Sequence, residues 1–319
     1  MPEGALVVAN LGTPRAPDEA AVRAFLGEFL ADPAVVDLPR WFWLPLLRGL
    51  ILRRRPARVA AAYRAIWRRE GSPLAVETER IAAGLAERLG REWEVVSAYR
   101  YGVPSAAEEV RRLARSGAAR IVVLALFPQR TGATTGTLED AVRRAARREG
   151  AEGRLAFVVP PCDGAGYVAA LAARVREALP DGPDGFTLLT SFHGLPARFD
   201  RREGGRYDAE CRRTAEALRA ALEWPRERTL VCYQSRFGPG RWLEPATDRT
   251  LAALPGRGTT RVAVATPGFV ADGLETLEEI GIRGAETFAA AGGETFVRVP
   301  APADHPALLD EWAGLALGA

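Results

Sequence analysis

Two histidines occur in 319 residues, and one of them lies in Ser191-Phe-His193-Gly-Leu-Pro196. A neutral imidazole accepts a proton near pH 7 or ligates a borderline metal. The second chemically suggestive stretch is Asp272-Gly-Leu-Glu275-Thr-Leu-Glu278-Glu279. Its Asp272, Glu275 and Glu279 follow an i, i+3, i+7 spacing, which stacks three carboxylates on one helical face. Carboxylates so placed raise one another's pKa and favour a cation or a proton transfer. The plainer account is that acidic residues at a helix start are stabilised by its dipole. Together the two stretches point to chemistry on protons and a cation. His305, between Asp304 and Pro306, stands where the last helix begins, and a structural role is expected for it.

Composition narrows the field. The chain has no lysine, and all 43 basic residues are arginine. That excludes a lysine Schiff base and a Walker lysine. It leaves carboxylate or phosphate recognition to the bidentate guanidinium. A net charge of +3, with arginines interspersed with glutamates along Ala106–Arg115, does not suit nucleic-acid binding. Cys162, Cys211 and Cys232 form no C-x-x-C pair, which argues against structural zinc, an iron–sulfur motif or a disulfide framework. Met1-Pro-Glu-Gly4 lacks a basic leader region, so a cytoplasmic protein is expected. The longest apolar stretch, Trp41–Leu52, is broken by Pro45, Arg48 and Gly49 and falls short of the about 20 residues a membrane span needs.

The elements that must position these groups alternate. Apolar β-type runs occur at Ala5–Asn10, Glu94–Tyr101, Arg120–Phe127, Leu155–Val159, Phe186–Phe192, Arg228–Gln234, Thr260–Thr266 and Thr295–Val299. Helical-period segments separate them, among them Ala107–Arg115, Leu138–Arg148, Tyr167–Leu179, Ala209–Leu222 and Glu275–Ala290. Such alternation predicts α/β architecture with parallel, doubly wound sheets. His193 then falls just past a strand, at the carboxyl ends where such sheets bind ligands.

The second four runs repeat the first four. Asn10-Leu-Gly-Thr-Pro14 resembles Phe192-His-Gly-Leu-Pro196, pairing Leu11 with His193, and Tyr99-Arg-Tyr-Gly102 resembles Ser235-Arg-Phe-Gly238. Arg100 and Arg236 thus share a repeat position, as an internal ion pair or as ligand contacts. The interval from Gly12 to Gly102 is about twice that from Gly194 to Gly238, so the first half carries an insertion between Phe25 and Leu74. Two similar domains are predicted, 1–155 with a lip insertion at about 30–75, and 156–300, followed by a C-terminal helix at 301–319. The insertion holds Trp41-Phe-Trp-Leu-Pro-Leu-Leu47 and Arg48, Arg53, Arg54, Arg55 and Arg58. An aromatic run beside arginines suits a lip over a flat ligand bearing carboxylates, a peripheral membrane contact through Trp41–Leu47, or a cap on the domain core.

The ordered motifs resemble those of the ferrochelatases. They are Asn10-Leu-Gly-Thr-Pro14, Tyr63-Arg-Ala-Ile-Trp67 with Gly71-Ser-Pro-Leu74, Arg100-Tyr-Gly102, Leu126-Phe-Pro-Gln129, Ser191-Phe-His-Gly-Leu-Pro196, Gln234-Ser-Arg-Phe-Gly238 and Pro267-Gly-Phe-Val270 with Leu274-Glu-Thr-Leu-Glu-Glu279. The resemblance implies the chelatase fold, two four-stranded α/β domains with an active-site cleft between them. It implies insertion of Fe²⁺ into protoporphyrin IX with release of two protons, the last step of haem biosynthesis. Coproporphyrin III as substrate, a sirohydrochlorin or cobalt chelatase, and a non-catalytic tetrapyrrole or metal carrier are the alternatives. His193 and Glu275 match the family's catalytic, metal-associated pair. Tyr101 and Ser105 are expected to line the porphyrin, and Asp272, Glu278 and Glu279 to form a proton or metal path. Beyond the iron substrate no cofactor is implied, an iron–sulfur cluster near the C-terminus being ruled out because the last cysteine is Cys232. A monomer is expected.

The chain departs from the family pattern in three places. Gly281 and Arg283 interrupt the acidic face. Arg130 replaces a common aromatic, placed either to contact a propionate or to point to solvent. Leu11 stands where some relatives carry Tyr or Met; leucine cannot be an axial ligand, which favours protoporphyrin.

Overall fold

A computed structural model describes residues 4–238 and 240–319. Met1–Glu3, on which the expectation of no leader partly rests, lie outside the described residues. All eight expected strands form: β1 (Gly4–Asn10), β2 (Trp93–Tyr99), β3 (Ile121–Ala125), β4 (Leu155–Val158), β5 (Thr187–His193), β6 (Thr229–Gln234), β7 (Arg261–Ala265) and β8 (Thr295–Arg298). They make two four-stranded sheets of the same topology, β2-β1-β3-β4 and β6-β5-β7-β8. Every pairing is parallel. The central strand β1 is buried along its whole length, as a parallel strand covered by helices on both faces must be. Several strand ends differ from expectation by one or two residues. β2 stops at Tyr99, and His193 is the last residue of β5, paired with Gln234 of β6, rather than the residue beyond it.

The helices are α1 (Glu19–Phe29), α2 (Arg40–Leu46), α3 (Leu52–Ile66), α4 (Pro73–Leu89), α5 (Ala106–Arg115), α6 (Thr137–Arg148), α7 (Ala165–Ala178), α8 (Ala197–Arg202), α9 (Arg206–Ala221), α10 (Thr247–Ala253), α11 (Ala285–Ala290) and α12 (Pro306–Gly318). Four of them, α1–α4, lie between β1 and β2, whereas α8 and α9 alone join β5 to β6. The insertion therefore builds α2, a wide π-helical turn at Leu47–Ile51, and α3. Pro45 removes a backbone donor inside α2, and the loosened winding just beyond it is where a π turn is easily accommodated. The expected helix at 275–290 is likewise split: Leu274–Gly284 is π-helical and only Ala285–Ala290 is α.

The chain divides into two compact units. The first runs to Phe127 and includes Gly132–Pro160 and Trp312–Ala319; the second holds Pro128–Thr131 and Pro161–Glu311. The long segment of the second unit thus begins at Pro161, near the expected 156, and α12 is divided between the units at Trp312. Each sheet has its own core. In the first, Val7, Val123 and Ala125 pack with Val110 and Leu113 of α5 and Leu138 and Val142 of α6. In the second, Leu189 packs with Val262, Val264, Ile280 and Phe288, while Phe192, farther along β5, packs with Tyr207, Cys211 and Tyr233. Truncating such a residue, Leu189→Ala for example, costs roughly 2–5 kcal/mol because the cavity cannot fully collapse.

Candidate active site

His193 is fixed by its own strand and by α9. Its carbonyl accepts a hydrogen bond from the buried Tyr207 hydroxyl at 2.8 Å, and its Nδ1 lies 2.7 Å from the Gly194 carbonyl. A carbonyl only accepts, so Nδ1 carries the hydrogen, which in the neutral ring leaves the lone pair on Nε2. The Gly194 N–H donates to Gln234 O at 2.7 Å, and a Cβ on Gly194 would sit 2.4 Å from that same oxygen. Only glycine lets the chain turn this tightly after the histidine. The ring is half-buried, 6.3 Å from Phe269 between centroids.

Glu275 is presented by the first π turn, and a buried polar chain sets its backbone. Thr247 Oγ1 and Ser191 Oγ are 2.8 Å apart, Ser191 Oγ donates to Gln234 Oε1 at 2.8 Å, and Gln234 Nε2 donates to Glu275 O at 2.7 Å. Ser191, Gln234 and Thr247 are all buried. The Glu275 carboxylate has no other side chain hydrogen-bonded to it among the described residues. Burial pushes its carboxyl upward, and the neighbouring His193 works in the opposite direction. The arrangement sets an imidazole near a carboxyl group that holds its proton more tightly than usual.

The other carboxylates of the acidic stretch are engaged. Asp272 takes both oxygens to Arg298, at 3.0 and 3.1 Å, and accepts from Thr276 at 2.7 Å. Glu278 pairs with Arg283 at 2.9 Å. Glu279 accepts from the Ser235 N–H at 2.7 Å and from the Ser235 hydroxyl. Asp272 precedes the helical segment and the segment winds as a π-helix, so the one-face stacking that assumes α-helical pitch does not apply. No group of three or more His, Cys, Asp or Glu side chains converges as a metal cage among the described residues. Gly281 has a local reason: a Cβ there would lie 3.0 Å from the Arg298 side chain that holds Asp272.

In the first unit, Leu11 ends up half-buried against the β1–β4 core, and its carbonyl accepts from Tyr101 N–H at 2.8 Å. Tyr101, expected to line the porphyrin, is buried. It is 1% exposed, and its hydroxyl donates to Asp32 at 2.9 Å. Ser105 is half-buried at the start of α5. Arg130, in the segment that folds with the second unit, is exposed, and its backbone N–H donates to Glu210 at 2.6 Å. The lip carries a groove of about 390 Å³ lined by Leu50, Ile51, Arg54, Arg55 and Arg58. Burial, and after it the adjacent Arg58, lower the pKa of Arg55. Trp41 is 82% and Phe42 50% exposed. No helix among the described residues is long and apolar enough to cross a membrane.

A family model described as ferrochelatase matches residues 3–317. The chain belongs to the ferrochelatase family. A ferrochelatase from Azoarcus sp. (strain BH72) is 45% identical over 307 residues, spanning 96% of this chain and 84% of the relative. One from Vibrio cholerae is 42% identical over 97% of this chain and 96% of its own length. Among solved structures, the sirohydrochlorin chelatase SirB from Bacillus subtilis subspecies spizizenii, in complex with cobalt, superposes with a TM-score of 0.58 at 11% identity, covering 99% of this chain and 94% of that one. That likeness shows the chelatase fold alone. As a ferrochelatase-family member the chain is a lyase-type metal chelatase.

Sequence reasoning passed over several residues around these positions. Gln234 and Ser191 lie within motifs but had no role assigned, and their signal was only that a buried polar pair flanks the histidine. Asp32 gave no signal, because an aspartate before Pro33 at a helix end reads as an ordinary turn. The shared repeat position of Arg100 and Arg236 conceals a difference. Arg100 is ion-paired to Asp32, while Arg236 is exposed and has no hydrogen-bond or ion-pair partner among the described residues. His305 accepts the Ala307 N–H at 3.3 Å, capping α12, the structural role expected of it.

Proposed function

We propose that this protein inserts Fe²⁺ into protoporphyrin IX, releasing the two pyrrole protons, the last step of haem biosynthesis. The observation that carries the reading is His193, with Nδ1 bonded to a carbonyl, near a desolvated Glu275 carboxyl to which no side chain hydrogen-bonds among the described residues. Metallation removes two N–H protons and strips water from the ion. His193 Nε2 accepts the first proton, and Glu275, as carboxylate, stabilises the imidazolium that forms. Its raised affinity for protons then suits Glu275 to take the second and pass it outward. Asp272, Glu278 and Glu279 are the carboxylates past which that proton, or the incoming ion, would travel. Their arginine and serine partners make each of them a costlier stop than Glu275.

On the first unit, Leu11 and Ser105 are proposed as porphyrin-facing residues, with Arg54, Arg55 and Arg58 holding propionate carboxylates. Arg130 is proposed as a further propionate contact. Leucine at position 11 adds no axial ligand, so that face offers contact and no coordination. The exposed Trp41 and Phe42 are proposed as a peripheral contact with an anionic bilayer. Co-sedimentation with anionic vesicles checks that reading, and equal sedimentation of Trp41→Ser would refute it. A monomeric, cytoplasmic enzyme needing no resident cofactor completes the proposal.

The decisive experiment follows the Soret shift anaerobically with Fe²⁺ or Zn²⁺ and, in parallel, protoporphyrin IX or coproporphyrin III. Wild type should turn over, faster with protoporphyrin, and His193→Ala should lose about 10²- to 10⁴-fold in kcat while still binding porphyrin. An inactive wild type, or a fully active His193→Ala, overturns the assignment, and faster coproporphyrin turnover reassigns the substrate.

A further inference from the structure

Asp32 lies three residues past the end of α1, where the chain departs toward the lip. Its side chain is only 10% exposed and collects four donors. Ala34 N–H gives to Oδ1 at 2.8 Å; the Tyr101 hydroxyl at 2.9 Å, Thr137 Oγ1 at 2.7 Å and the Arg100 guanidinium all give to Oδ2. Arg100 Nε also donates to Thr137 Oγ1 at 2.9 Å, and its guanidinium lies 4.4 Å from the centre of the Tyr101 ring. One turn earlier on α1, Glu28 accepts the Gly102 N–H at 2.9 Å, and Phe29 meets the Tyr101 ring edge-on at 5.1 Å. Two carboxylates on one helix end therefore grip the three-residue loop Arg100–Gly102.

That loop sets Leu11. Arg100 N–H donates to Asn10 O and Tyr101 N–H to Leu11 O, each at 2.8 Å. Gly12 has φ +122°, and a Cβ on it would come 1.9 Å from Tyr101 O, so the β1 end and the loop are packed backbone to backbone. Displacing Tyr101 displaces Leu11. The Asp32 carboxylate thus ties together four separate pieces of the first unit: the root of the lip, the end of β1, the loop after β2 and the start of α6. A cluster this saturated has no spare valence for chemistry, and a buried, charge-assisted cluster of this kind serves to hold geometry.

We propose that Asp32 is a positioning residue for porphyrin binding, registering the lip against Leu11 through Tyr101 and Arg100. The inference rests on the porphyrin-facing role given to Leu11 and the lip above. Nothing in the His193 and Glu275 arrangement depends on Asp32, because that arrangement is built from elements of the second unit alone. The effect must therefore appear in porphyrin affinity and leave the metal and the turnover step nearly untouched.

Asp32→Asn keeps the shape and removes the charge; Tyr101→Phe removes one donor and leaves Arg100 in place. The test measures metal-free porphyrin binding by quenching of tryptophan fluorescence, together with KM for porphyrin, KM for Zn²⁺ and kcat, on folded protein verified by circular dichroism. Asp32→Asn should weaken porphyrin Kd and KM about tenfold, with KM for Zn²⁺ and kcat within about twofold of wild type. Tyr101→Phe should weaken porphyrin about threefold, and the double variant should fall short of the product of the two, as residues in one cluster do. Unchanged porphyrin affinity in both variants overturns the proposal, as does a loss shared equally by porphyrin KM, Zn²⁺ KM and kcat. A wild type that binds porphyrin without metallating it refutes the catalytic assignment, while the Kd series still decides the role of Asp32. A wild type that binds no porphyrin overturns both.

Discussion

The ends of β1 and β5 occupy the same place in two sheets of identical strand order, and they are finished in opposite ways. At the end of β1 the polar groups around Leu11 have partners: Asp32 takes four donors, Tyr101 gives its hydroxyl away, and Asn10 bonds Thr78 and the Leu11 N–H. At the end of β5 the supporting groups are just as well satisfied, through Ser191, Gln234, Thr247 and Tyr207, but the two groups they support are left open. Those are His193 Nε2 and the Glu275 carboxylate. On the proposed reading the duplicated architecture serves two jobs, one end holding a shape and the other holding reactive valences. A buried carboxyl with few hydrogen-bond donors is costly to keep, which is why the catalytic role is proposed for the β5 end.

The sharpest way to break the comparison is to close the open end. Glu275→Gln keeps the size of the side chain and removes its proton chemistry. We expect kcat to fall about 10²- to 10³-fold. Stability should move the other way. Burial raises the folded-state pKa of Glu275, so its contribution is fully present below the unfolded value near pH 4 and is lost as pH rises through the folded value. Glu275→Gln escapes that loss, and its Tm should exceed that of wild type at pH 8, with the gap closing toward pH 4. A variant that loses activity and is also less stable at pH 8 would mean that Glu275 is a structural anchor.

The support beneath the open end comes next. Gln234→Leu strips the acceptor from Ser191 and the donor from the Glu275 carbonyl, leaving buried groups unpaired at a cost of about 1–3 kcal/mol each. Thermal denaturation should show the loss, and kcat should fall about tenfold with porphyrin affinity unchanged. At the closed end, Leu11→Ala should do the reverse: porphyrin KM rises several-fold and kcat stays within about threefold. Equal kcat losses from Gln234→Leu and Leu11→Ala would erase the distinction between the two ends.

The sheets were readable from the sequence because parallel strands buried on both faces leave long apolar runs, and Ala5–Asn10 or Phe186–Phe192 can be little else. The duplication was readable because Gly12 and Gly194 both meet backbone that a side chain would strike, which preserves the motif around each. The winding of Leu274–Gly284 was not. A π-helix has the same composition as an α-helix, so the expected stacking of Asp272, Glu275 and Glu279 followed from the wrong pitch. Partners distant in sequence were equally hidden. Arg298 on Asp272 and Asp32 on Tyr101 are tertiary contacts that no local spacing encodes. For that reason Tyr101 reads in sequence as a ligand contact, while the structure buries it and bonds its hydroxyl to Asp32.

The smallest expected effect concerns the charge at the closed end. Burial of Asp32 works to raise its pKa, but hydrogen bonds from Thr137, Ala34 and Tyr101 and the Arg100 charge outweigh it and hold the carboxyl below its usual value. A depressed folded-state pKa gives stability that is present above the unfolded value, near pH 4, and is lost as pH falls through the folded value. Wild type should therefore be more stable than Asp32→Asn at pH 7, and the difference in Tm between them should shrink as the pH is lowered from 4 toward 2. The sign is opposite to that for Glu275, because donors outweigh burial at Asp32, whereas at Glu275 burial outweighs His193 and a backbone N–H. Titrating both variants against wild type sets the two strand ends side by side. If Asp32→Asn and Glu275→Gln shift with pH in the same direction, the ends do not differ in the way their hydrogen bonds indicate.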